Sequence, residues 1–208
     1  MNNKEIIDEL NQIFEKYKGY LINVYENSEI LNHKIILVNS ILNRSVAIIE
    51  AYKKILNTSN IIVLNSLVRM QIDNCIFIYG VFLLCENGYS IDEISEEIIK
   101  NNKKLSQYKI NKEKMTDSYI ISKINKEYKN KFEEMYKFYC RFIHFSDSAL
   151  LSSMSMHDNN ILELELVTEY SRFEKHINEN ANSFINLSKF LLIMLDQKWK
   201  NIKSHKKI

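Results

Sequence analysis

Apolar residues recur at steps of three and four along most of this chain, and each such run predicts a helix. From Asn3 to about Glu26 the set Ile6, Leu10, Ile13, Phe14, Tyr17, Leu21 and Val24 shares one face, with Glu and Lys between, so an amphipathic helix should cover the core from outside. Ser28 is placed to cap a second helix to about Asn57, whose broad stripe includes Leu31, Ile35, Val38, Leu42, Ile49, Tyr52 and Leu56. Asn57 to Asn60 forms a turn and cap. Ile61 to Glu86 is then apolar on nearly every side, which belongs at the centre of a bundle. Asn87-Gly88 ends it, and Ser90-Ile-Asp-Glu93 has the form of a capping box opening a helix to about Lys103.

The polar, lysine-rich stretch to Met115 is expected as a loop. Thr116 and Asp117 cap the next helix, which leads, with a break near Asn125, into a helix ending at His144. Phe145 to Asn160 is serine-rich, a loop with a short helix. Ile161 to Val167 alternates apolar and acidic residues as a strand would, but with no second strand to pair with it is expected as a helix start or an extended passage. Thr168 caps a final helix through Ile202. The pattern predicts an all-α, single-domain bundle of about six to seven helices.

Composition agrees with that pattern. There is no proline and only Gly19, Gly80 and Gly88, so β architectures lack their turn residues. At 208 residues with 46% apolar residues the chain can bury a core without cross-links. Cys75, Cys85 and Cys140 are odd in number and form no CxxC, which argues against a disulfide framework and fits a reducing cytoplasm. The N-terminal MNNKEIIDEL carries acids where a signal peptide is apolar, and the longest apolar run, Cys75 to Cys85, is far short of the roughly 20 residues of a bilayer span. A soluble protein without a membrane partner is expected.

Net charge is only +2, but it is uneven. Lys100 to Lys131 holds ten lysines against Glu113, Asp117 and Glu127, and the tail adds Lys198, Lys200, Lys203, Lys206 and Lys207. Such clusters hold RNA or nucleotide phosphates by counterion release; lysine also simply solvates exposed helix faces.

The candidate chemistry sits in Phe132 to Ser148, FEEMYKFYCRFIHFSDS. In a helix Tyr136, Cys140 and His144 stack on one face, with Arg141 turned by about 100° from Cys140. Inside the most apolar helix stand Arg69 and Asp73 at i, i+4, expected as a buried ion pair. If the two helices pack, Arg69, Asp73, Tyr136, Arg141, His144 and Ser148 converge. His144 would move a proton near neutral pH, Arg141 or Arg69 would clamp an anion with Asp73 beside it, and Tyr136 and Ser148 would bind substrate. The same residues also read as structure: an aromatic stripe of Phe132, Tyr136, Tyr139 and Phe142, and an ion pair holding two helices in register. Neither cofactor nor metal is expected, because GxGxxG, P-loop, GxSxG and HExxH motifs are absent and the five histidines are scattered.

The succession VLNSLVRMQID and then YKFYCRFIHFSDS, over roughly Arg44 to Ser148, resembles a group of uncharacterised bacterial helical proteins with an Arg-x-x-x-acid helix followed by a helix bearing Tyr and a terminal His. More distantly the chain resembles HEPN-type bundles, many of them ribonucleases of toxin, CRISPR-associated and phage-defence systems that use Arg-x4-6-His across a dimer. Here Arg141 and His144 are separated by two residues, and Arg172 and His176 by three. The resemblance implies a homo-oligomeric defence or toxin protein acting on RNA or another phosphate substrate. The alternative is a non-catalytic protein-interaction or dimerisation module.

Overall fold

The computed structural model describes residues 1–26, 32–129, 131–143, 154–156, 162–164, 174–199 and 202. They form an all-α bundle of seven α-helices with two short hairpins: α1 (Asn3–Glu26), α2 (His33–Leu56), α3 (Ile61–Glu86), α4 (Ile91–Asn101), a 3₁₀ turn (Leu105–Gln107), β1 (Lys109–Ile110), β2 (Glu113–Lys114), α5 (Asp117–Tyr128), α6 (Phe132–Ile143), β3 (Met154–Met156), β4 (Leu162–Leu164) and α7 (Glu174–Lys198).

The most apolar helix is the axle. α3 packs against α2, α4, α5, α6 and α7, while α1 covers α2 and α7. α1 needs to bury only Ile6, Leu10, Ile13 and Tyr17, in keeping with its one-sided pattern. α3 buries residues around its whole circumference. By length and composition α2 and α3 are each apolar enough to cross a bilayer, and most of α3 is covered by its neighbours. Gly80 lets the 3₁₀ turn and α5 come close, since a Cβ there would lie 2.8 Å from Leu105 Cδ1 and 2.9 Å from Ile120 Cδ1. At the far end of α3, Gly88 (φ 90°) takes the left-handed conformation of the C-terminal cap, and the Tyr89 and Gly88 amides return to Leu84 and Cys85 carbonyls. There Lys198 reaches Glu86 at 2.7 Å and Glu127 at 3.0 Å. This cation ties the C-terminal ends of α3, α5 and α7, where carbonyl dipoles concentrate negative charge.

A group of polar side chains inside the bundle is paired. Gln71 donates to the Tyr17 hydroxyl at 3.2 Å, and Tyr17 in turn donates to the Ser188 carbonyl at 2.8 Å. Asn74 donates to Ser45 at 2.9 Å and Gln71 at 3.1 Å, and accepts from the exposed Arg44.

Several expectations are corrected. α2 begins at His33, because the Asn32 side chain accepts from the Ile35 amide at 3.0 Å and caps it; Ser28 lies outside the described residues. The helix break falls at Lys129 (φ 49°), not Asn125. Asn125 stays in the last turn of α5 and its amide oxygen accepts from the Glu133 N–H at 3.3 Å, capping α6. The lysine-rich loop contains the hairpin β1–β2, turned by Asn111 and Lys112, both at positive φ. Its flanks hold it down, with Tyr108, Ile110 and Met115 buried. The alternating segment is a strand after all: Leu162–Leu164 pairs antiparallel with Met154–Met156. The expected start of the final helix at Thr168 and its end at Ile202 fall on or beside residues outside the description; α7 is described from Glu174 to Lys198.

Candidate functional site

α6 carries two faces. Phe132 and Tyr139 are buried, and Tyr136 and Cys140, one helical turn apart, lie on an adjoining strip that meets α3 at Arg69. The Arg69 Nε–H donates to Cys140 Sγ at 3.2 Å. Its guanidinium carbon sits 4.4 Å from the centre of the Tyr136 ring, a cation–π contact. Nη1 donates to Asp73 Oδ1 one turn along α3. Tyr136 continues the chain by donating its hydroxyl to Asp117 Oδ2 at 3.3 Å, in the first turn of α5. One arginine therefore fastens α3, α5 and α6 together.

The electrostatics follow from this geometry. Burial opposes the Arg69 charge, but the hydrogen bonds to Asp73 and Cys140 outweigh it and its pKa is raised. Burial, then the negative charge of Asp117, pushes the Tyr136 phenol up to about 12. The ion pair is not the buried pair expected from its place in the chain. Only Arg69 is buried; the Asp73 side chain is 39% exposed, because it lies at the edge of the α3–α6 contact where water reaches it. With Asp73 paired to it, a phosphate would have to displace that carboxylate to reach Arg69. The arrangement makes Arg69 a positioning residue for α6, with Asp73 and Tyr136 as its partners.

Arg141 is exposed, one residue beyond Cys140 and turned away from Arg69 by the helical step. His144 and Ser148 lie outside the described residues. His176 is at the start of α7, 3.7 Å from Glu179 and mostly exposed. Asp117, which the spacing marked only as a helix cap, is the member of the cluster that sequence reasoning missed; nothing in its local pattern pointed to Tyr136 nineteen residues on.

The basic stretch forms a distinct surface. It runs from the end of α4 through β1–β2 and along α5. Lys100, Lys103 and Lys131 pair with Glu96, Glu97 and Glu134. The exposed Lys104, Lys109, Lys112, Lys114, Lys126 and Lys129 form no ion pair among the described residues. Lys109 and Lys114 are directly opposed across the hairpin, and like charges so placed repel. No protein-family model, no curated protein and no solved structure matches this chain.

Proposed function

We infer that this chain is a helical-bundle protein of bacterial defence or toxin type that holds RNA on its Lys100–Lys131 surface and handles phosphate with arginine and histidine near the end of α6. The observation that carries the reading is the hairpin: two lysines face each other across β1–β2 and a third, Lys112, sits at the turn, with no carboxylate paired to any of them among the described residues. Opposed cations are costly alone and become favourable when a phosphate backbone lies between them. Arg69 acts at one remove, holding the Tyr136 and Cys140 face of α6 on α3 and so fixing the helix that carries Arg141. His144 is the proton carrier and Arg141 the anion contact in this scheme. Three free cysteines support a reducing, cytoplasmic setting.

The test is incubation of the purified chain with RNA, DNA and nucleotides. RNA should bind, and be cleaved by the unaltered chain but not by His144→Ala, with binding and melting temperature unchanged in the variant. RNA left unbound at low salt would reject the reading. Retained cleavage by His144→Ala would reject its catalytic half.

A second reading, a protein-interaction or dimerisation module, is favoured by one observation. Phe138 and Ile193 are 50% and 45% exposed on neighbouring helices α6 and α7.

A further inference from the structure

Between α3, α6 and α7 lies a cavity of about 1070 Å³, at the upper end of the range of small-molecule sites. Its walls are mainly aromatic and aliphatic, with Phe132, Met135, Phe138, Phe142, Phe190 and Ile193 among them. Its floor is polar: Asn65 and Asn180 both line it and both are 97% buried.

Those two amides belong to an oriented chain. The Tyr52 hydroxyl, held by stacking of its ring on Phe184 at 4.2 Å, donates to Asn180 Oδ1. Asn180 Nδ2 donates to Asn65 Oδ1 at 2.7 Å. The series ends there, because Asn65 Nδ2 donates to no partner among the described residues. Each bond polarises the next, so the last amide is a strengthened donor. A polar group converging on an apolar cavity is what orients a bound molecule, and this amide faces the cavity with its donor open. The charges at the rim are of both signs, Lys131 and Lys189 against Glu134 and Glu179, so they select for neither an anion nor a cation.

We propose that this cavity is a binding site for a neutral, largely apolar molecule bearing a carbonyl group, the carbonyl oxygen accepting from Asn65 Nδ2 and the apolar body lying against the phenylalanines of α6 and α7. The site meets the lysine surface only at Lys131, which is paired with Glu134, and does not depend on RNA binding.

Benzophenone and diphenylmethane are suitable probes, since they share a shape and differ by the carbonyl. Titration of the full chain, followed by ligand-detected NMR, should show one saturable site that prefers benzophenone by about five- to tenfold, the value of one hydrogen bond to a buried donor. Asn65→Leu should reduce the preference to near unity. Phe138→Ala, at a half-exposed wall position, should weaken both probes and keep the preference; it serves if Asn65→Leu does not fold. Irradiation of bound benzophenone should label cavity residues such as Met135 or Ile193. Equal affinity for the two probes, labelling elsewhere, or no saturable binding would overturn the proposal. So would a dimer that excludes benzophenone and is split by Phe138→Ala, which would give the cavity to a second copy of the chain.

Discussion

Removing the Asp73 carboxylate by Asp73→Ala tests how Arg69 holds α6. The guanidinium would keep its bond to Cys140 and its place over Tyr136 but lose its only anionic partner among the described contacts, while itself just 8% exposed. Breaking a fully buried pair costs about 3–5 kcal/mol, and exposed i, i+4 pairs are worth about 0.3–0.5 kcal/mol. Asp73 is 39% exposed, so water can enter where its carboxylate was and solvate Nη1 in part. We expect about 1–2 kcal/mol, between those limits, or a fall of about 2–8 °C in Tm for a chain of this size. Arg69→Met, which keeps the stem and abandons only an acid already in contact with water, should cost about 1 kcal/mol from the lost thiol bond and ring contact. Urea unfolding followed by circular dichroism gives both values from the midpoint and slope. In high salt the Asp73→Ala cost should shrink, because a pair reached by water is screened. A loss above about 4 kcal/mol that is indifferent to salt would mean a dry pair and refute this geometry.

Further outcomes follow from other parts of the molecule. Gly80→Ala should destabilise by about 1 kcal/mol, since overpacking against Leu105 and Ile120, about 1–3 kcal/mol, exceeds the roughly 1 kcal/mol an open helix gains from alanine; net stabilisation would show that the approach is looser. Burial raises the phenols of Tyr17, Tyr52, Tyr79 and Tyr128 above the ordinary tyrosine range, and that of Tyr136 to about 12. Groups raised in the folded state contribute stability that is fully present below their unfolded pKa near 10 and lost as pH climbs through the folded values. Phenolate absorbance should therefore appear together with loss of helix above about pH 10; smooth titration of every tyrosine with helix retained would contradict the burial.

Much of the fold was legible because α3, α4 and α5 begin, and α3 ends, where local chemistry says they must. Asn60, Ser90 and Thr116 accept from amides of the first turn, and Gly88 supplies the positive φ of a cap. What escaped was non-local. β1 and β2 have two residues each and turn through Asn111-Lys112, without the glycine that marks such a turn. The alternation of 162–164 needed its partner at 154–156, where Met-Ser-Met is too short a run to stand out in a serine-rich stretch. The site was half legible. Helical spacing put Tyr136 and Cys140 on one face and Arg69 beside Asp73, but whether a charge one turn away is dry or wet depends on where the neighbouring helix ends. Asn65 and Asn180, 115 residues apart, carry no local signal at all.

Whether the lysine surface holds a phosphate backbone is read from the fluorescence anisotropy of a labelled single-stranded RNA across a salt series. Each phosphate contact adds about −0.7 to the slope of log affinity against log salt, so the six exposed lysines without an ion pair among the described residues set a limit of about −4. The unaltered chain should show a slope of about −2 to −4, and joint replacement of Lys109, Lys112 and Lys114 by Gln should flatten it by about 2 with the melting temperature unchanged or raised. A slope near zero, or one that the three replacements leave untouched, would contradict it.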